Sequence, residues 1–203
     1  MKLLSNKKSS YGFSLIEMMI VVVVIAFLLA MTAPTMFSNM RASELSTQGD
    51  LIKNRLSLAQ QTALSSNSDV EIRFFKYADT SNAEVLPRFR GFRFYQYNEL
   101  GKLVPVSELF NLTGSVMISD EKTYSTIISE MPEKDLPPND LVQFSIGVKE
   151  VDYVAFRYLP DGSTTLPKTG ETWFLTLLED QGVANAATRE INNYFCIQID
   201  PFN

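Results

Sequence analysis

The chain has 203 residues, 45% of them apolar and 20% charged, with a formal net charge of −5 at neutral pH. That balance belongs to a folding chain with one ordinary domain and a helix to spare, and it withholds general electrostatic support from nucleic-acid binding. Histidine is absent and cysteine occurs once, so the commonest general base and metal ligand is missing and no intramolecular disulfide can form.

The first segment, 1–12, is short, polar and basic, with Lys2, Lys7 and Lys8 and no acid. Its removal would take the net charge from −5 to about −8. An apolar stretch follows abruptly, from Phe13 through Ala33. About twenty residues at 1.5 Å per residue is the length needed to cross a bilayer core. Lysines lie on one flank and none occurs until Lys53 on the other, which predicts a cytoplasmic N-terminus. An ordinary secretory signal is the alternative, with 30–33 as its small-residue cleavage site. Against it stand the length of the apolar run and Glu17 near its start. A carboxylate at mid-bilayer costs on the order of 2.5–3.5 kcal/mol, so it demands a reason. It is either an acid tolerated near the interface or a partner for a positive group on another molecule or on a newly made N-terminus.

The run Gly12-Phe13-Ser-Leu-Ile-Glu17-Met-Met-Ile-Val-Val-Val-Val-Ile resembles the class III signal of type IV pilins and type II secretion pseudopilins. The resemblance implies that a prepilin peptidase cuts after Gly12 on the cytoplasmic side and methylates the new N-terminal residue, Phe13. It also implies that Glu17 pairs with the N-terminal amine of a neighbouring subunit during assembly. The physics agrees, since opposite charges in low dielectric are costly apart and their pairing fixes helix register. Pro34 follows the apolar run, where it either breaks the helix at the membrane surface or kinks it. Many pilins carry a proline near this point, and the resemblance implies a bend or local melting in the filament.

From Phe37 to Ser65 the chain reads as an amphipathic helix. Leu45, Ile52, Leu56, Ala59 and Ala63 fall on one apolar stripe that predicts the packing surface for a globular head, with a partner-helix site as the alternative. Gly49 weakens the middle by roughly 1 kcal/mol relative to alanine, and the polar run 65–69 stops it. The expected divisions are a leader over 1–12, a transmembrane part over 13–33, an amphipathic continuation over 34–66 and a head over 67–203.

The head reads as β. Strands are expected over Val70–Tyr77, Arg88–Tyr97, Leu141–Ile146, Val151–Leu159, Thr172–Leu178 and Tyr194–Ile199. Pro160-Asp-Gly162 marks a turn. The segment 111–138 is irregular and polar and reads as a surface insertion. Cys196 lies in the last strand, either as a small buried hydrophobe or as a reactive or intermolecular thiol. The fold class is therefore α+β: a long N-terminal transmembrane and amphipathic helix, then an antiparallel β-rich head.

This half resembles the minor pseudopilin H type of type II secretion, on its serine-rich helix end, its Val-x-Ile-x-Phe strand and the run Phe156-Arg-Tyr-Leu-Pro-Asp-Gly-Ser163. It also resembles the pilin-like cassette proteins of verrucomicrobia. The chain stops straight after a strand, with no glycine-rich tail or cysteine-bounded loop, which argues against a major pilin. Arg88, Arg90 and Arg93 interleave with Phe89, Phe92, Phe94 and Tyr95, a pattern that could stack single-stranded nucleic acid or could be a plain amphipathic strand. The acidic body argues against nucleic acid. The aspartates and glutamates show no EF-hand spacing, and Asp180 and Asp200 could ligate calcium only if the fold brought them together; no nucleophile–base pair or phosphate loop is present, so neither a cofactor nor an enzymatic activity is expected.

The expected function is thus a non-enzymatic subunit of a type IV pilus or secretion pseudopilus, a minor component. The alternative is a tip adhesin or a minor pilin that binds DNA or cargo. Expected partners are the prepilin peptidase, other pilin or pseudopilin subunits, the inner-membrane assembly platform and membrane lipid. The expected location is the inner membrane, single-pass with the head periplasmic, followed by a periplasmic or surface filament.

Overall fold

The structure is a computed structural model that describes residues 12–78, 86–98, 100–137, 140, 144, 151–168, 170, 172–180, 191 and 193–202, the side chains of 32–38 excepted. The leader before Gly12 and the strand expected over 141–146, Phe144 apart, lie outside the described residues. Two compact units are formed, Met1–Met40 and Arg41–Asn203.

Helix α1 runs over Leu15–Ser66. Its assignment continues through position 34, so proline does not end the helix there; the side chain of Pro34 lies outside the described ones. At the far end Asn67 takes a left-handed φ of 48° and the Ser68 amide donates back to the Ala63 carbonyl at 3.3 Å. Asparagine is one of the few residues that tolerates this conformation, and the bond satisfies a carbonyl that the helix end would otherwise orphan. The stop expected in the serine-rich run is therefore a Schellman-type cap.

Among the described residues of the second unit nine strands make one antiparallel sheet: β1 (Val70–Tyr77), β2 (Arg88–Tyr97), β3 (Leu103–Pro105), β4 (Phe110–Asn111), β5 (Val116–Ile118), β6 (Lys134–Asp135), β7 (Asp152–Tyr158), β8 (Trp173–Glu179) and β9 (Tyr194–Ile199). The order is β6-β7-β1-β2-β5-β8-β9, and β3 and β4 also pair with β2. The ten-residue β2 is long enough for three short partners to share its far edge: β5 at Phe89, β4 at Gly91 and Phe92, β3 at Tyr95 to Tyr97.

Period-two alternation sends β1 residues Val70, Ile72 and Phe74 inward, together with Phe92 and Phe94 of β2, Val154 and Phe156 of β7, and Leu175 and Leu177 of β8. Aromatic rings step across three strands from Tyr158 to Phe156, Phe74 and Phe92, with centroids 5.5, 6.3 and 6.2 Å apart. The same core takes in the helix stripe, and Leu45, Ile52, Leu56, Ala59 and Ala63 are all buried. The two alanines keep the helix close to the aromatic row. Burying a single such aliphatic side chain is worth about 1.5–3 kcal/mol.

The opposite face carries a smaller core, in which Phe75, Tyr95 and Tyr153 meet Leu136, Phe144 and Val151. Phe75 is the second of two adjacent buried phenylalanines, so β1 is covered on both faces.

Two expectations are corrected. The segment 111–138 is not a polar surface insertion. It supplies β5, whose Val116, Met117 and Ile118 are buried between β2 and β8, and the short helix α2 (Thr126–Glu130), whose Ile127 and Ile128 are buried. Cys196 is exposed rather than buried. In β9 the inward positions are Phe195, Ile197 and Ile199, so alternation puts Cys196 outward with Tyr194 and Gln198.

Candidate functional site at the head of the first helix

Gly12 and Phe13 lie just ahead of α1, and both are exposed; Phe13 is 83% exposed and a side chain at position 12 would meet nothing within 4 Å. Among the described residues nothing packs around the Gly12–Phe13 bond. Ser14 and Glu17 then close the helix start reciprocally. The Ser14 amide donates to Glu17 Oε2 at 2.8 Å, and the Glu17 amide donates to Ser14 Oγ at 3.3 Å. This capping box satisfies two of the donors that every helix start leaves over, and it places a carboxylate at the positive end of the helix dipole. Ser14 was not singled out from the sequence, although a serine three residues before an acid ahead of an apolar run is the recognised signal for it.

Beyond the cap the helix is apolar all round. From Leu15 to Met31 its large hydrophobic side chains are about half exposed or more, and four consecutive valines, Val21–Val24, span every face. A helix with no polar side has to be covered by lipid or by other helices. Among the described residues no helix is long and apolar enough to cross a membrane. The described side chains of the apolar stretch end at Met31, before the run that the sequence carries on to Ala33.

In the head, the arginines of β2 are turned to one another's acid. A bulge opposite Phe75 and Lys76 shifts the register at Arg90, and Arg88 and Arg90 both face Asp180, whose side chain is only 9% exposed. Arg93 donates from Nε to the Ser107 carbonyl at 2.8 Å. Phe92 and Phe94 face the helix while Tyr95 belongs to the opposite core, which is the plain amphipathic pattern. Asp200 accepts from the Phe202 amide at 2.9 Å. Among the described residues no group of three or more Cys, Asp or Glu side chains is placed to hold a metal ion.

The residues that the sequence singled out at the N-terminus thus meet in one place, Gly12, Phe13 and Glu17 with Ser14 added, while the head arginines and Asp180 form internal structure. Residues 7–33 match the family model described as the prokaryotic N-terminal methylation motif. No curated protein and no solved structure shows significant similarity to the chain. Proteins bearing this motif are processed by a prepilin peptidase and assemble with other pilins, and the motif points to a structural subunit rather than an enzyme. Over residues 7–33, a small part of its 203, the chain is thus similar to the N-terminal methylation motif of type IV prepilins, and the match ends there.

Proposed function

We propose that this chain is a minor subunit of a type II secretion pseudopilus or type IV pilus, cut between Gly12 and Phe13 and methylated on Phe13. The apolar helix is its single membrane pass, with the N-terminus cytoplasmic and the head periplasmic, before extraction into the filament. The observation that carries this reading is the coincidence, at residues 12–31, of the methylation motif, an unpacked Gly12–Phe13 bond and a helix apolar on all sides. In the sequence that apolar run extends to Ala33, and about twenty residues suffice to span a bilayer core.

Glu17 serves assembly in this proposal. Its Oε2 is taken by the Ser14 amide, but a carboxylate has about four acceptor positions. The other oxygen is available to the Phe13 amine of a neighbour, and the local cap holds it in place meanwhile. Pro34 is the proposed point of bending in the filament. The head supports the minor pseudopilin H reading only through its strand pattern. The engagement of Arg88 and Arg90 by Asp180 tells against a nucleic-acid role.

The test is mass spectrometry and N-terminal sequencing of the chain from membranes and from sheared filaments. Gly12→Leu should retain the whole leader, and normal processing of that variant would defeat the cleavage claim. Glu17→Gln should insert and be cut normally yet fail to enter filaments, because the amide keeps the cap's hydrogen bond and loses the charge. Undiminished incorporation would remove the pairing role.

A further inference from the structure

The strand β9 stands at one end of the sheet order. It pairs with β8 along one edge, and among the described residues its backbone makes no hydrogen bond from the other. Sheets commonly guard such an edge with a lysine, a proline or a bulge, because its amides and carbonyls are a template for another strand. The six residues Tyr194–Ile199 carry no charge and no proline, and they pair with β8 without a register shift. This edge is unguarded.

A groove of about 350 Å³ lies between β9 and α1, and every residue from Phe195 to Asp200 borders it. Alternate side chains of a strand point to opposite faces, so successive residues share one cavity only where it follows the strand's edge. Leu56, Ile197 and Ile199 give the groove buried apolar surface. Three polar groups stand in it unengaged. Tyr158 is 5% exposed, yet its hydroxyl makes no hydrogen bond with a described residue. Burial pushes its pKa up to about 12, so it stays a donor at physiological pH. Lys53 forms no ion pair among the described residues, and neither does Asp200, whose Oδ1 accepts from the Phe202 amide at 2.9 Å. The two charges sit toward opposite ends. Phe195 lies against Gly49, whereas Gln60 donates to the Gly162 carbonyl at 2.9 Å and the Thr164 amide donates to the Pro201 carbonyl at 3.0 Å. Helix and strand therefore run the same way along the groove, with Lys53 nearer its Phe195 end and Asp200 at the other.

We propose that this groove binds the carboxyl-terminal tail of a partner protein as an added strand, antiparallel to β9. The tail's main chain pairs with the free edge, and its terminal carboxylate meets Lys53. Its last, apolar side chain lies on Leu56 and Ile197, and a basic residue upstream meets Asp200. The Tyr158 hydroxyl donates to a carbonyl of the tail. An extended peptide is the ligand that supplies alternating donors and acceptors to a strand edge, and the opposite charges at the two ends set its direction. The proposal goes beyond the filament reading and stands apart from it, since it draws on the head alone.

The experiment uses the detergent-solubilised full chain and a panel of fluorescein-labelled hexapeptides. Each peptide ends in leucine, isoleucine or valine with a free carboxylate and carries a lysine three residues earlier. Fluorescence polarisation should show saturable binding of the best member, weakened about tenfold or more when its C-terminus is amidated or its backbone nitrogens are methylated. Lys53→Ala should reproduce the loss caused by amidation. Asp200→Lys should shift the preference to peptides with glutamate in the upstream position. Tyr158→Phe should weaken binding several-fold at an unchanged melting temperature, which separates the hydroxyl's role in binding from any role in folding. Lys53 and Asp200 are exposed, so replacing them leaves the core intact. Absence of binding across the panel, equal affinity for acid and amide, or a dimer formed through β9 that the peptides do not displace would each overturn the assignment.

Discussion

Gly49 illustrates how a residue can be unfavourable locally and necessary globally. In the middle of α1 it costs roughly 1 kcal/mol of helix propensity against alanine. A Cβ at that position would overlap the ring of Phe195 on β9, which lies directly against the helix backbone. Gly49→Ala is therefore expected to lower stability by about 1–3 kcal/mol despite better propensity, as overpacking does; thermal unfolding of the detergent-solubilised chain checks this, and a raised melting temperature would contradict it. Asp180 is a second such residue. Its carboxylate serves two guanidiniums of low exposure, and Asp180→Ala should cost on the order of 3 kcal/mol by leaving them short of a counter-charge. From the sequence, the reason for Gly49 was unreadable because Phe195 is far away in the chain, whereas the methylation motif over residues 7–33 was readable because all its context is local. The exposure of Cys196 was misjudged for a related cause: an alternating strand shows its two faces, but only the packing partners say which face is in.

At the scale of elements, α1 shows why periodicity reads well where one face meets one core. The five apolar positions of the expected stripe are all buried, and β1, β2 and β9 have the boundaries that their alternation predicts. What escaped were pieces too short to show a period, namely β3 to β6 and α2. Ile52→Ala should cost about 2–5 kcal/mol, since Ile52 is fully buried where helix and sheet meet; chemical denaturation of the full chain measures it. The two-residue strand β6 carries a pH dependence. Asp135 lies directly opposite Asp152 of β7. Partial burial, then Glu133 and Asp135, raise the Asp152 pKa above its ordinary value, with Lys76 opposing. A carboxyl raised on folding favours the folded state when protonated. Its contribution is full below the ordinary aspartate range and is lost as pH rises through the raised value. Asp152→Asn should therefore raise the melting temperature at pH 7 and do so less near pH 4; equal shifts at both would refute the assignment.

For the whole molecule, the division of labour follows the chain. Residues 12–31 present apolar surface with no partner among the described residues, while Arg41–Asn203 bury theirs. The methylation motif occupies residues 7–33, so it was legible from a short local segment, and the head's topology was not. The position of β9 also has a bearing on when the head can form. Its Phe195 fills the notch at Gly49, and Ile197 and Ile199 close the core that Leu45 and Ile52 open. The chain's first core element and its last strand are thus mutual requirements, separated by nearly the full length of the head, and such distant contacts are slow to close. If the first helix anchors the new chain in the membrane as proposed, that helix's stripe has to stay uncovered until the last strand has emerged from the ribosome and crossed. Folding is then timed by the end of export rather than its beginning. A chain stopped before Tyr194 should be exported yet degraded as an open sheet, which pulse-chase labelling would detect.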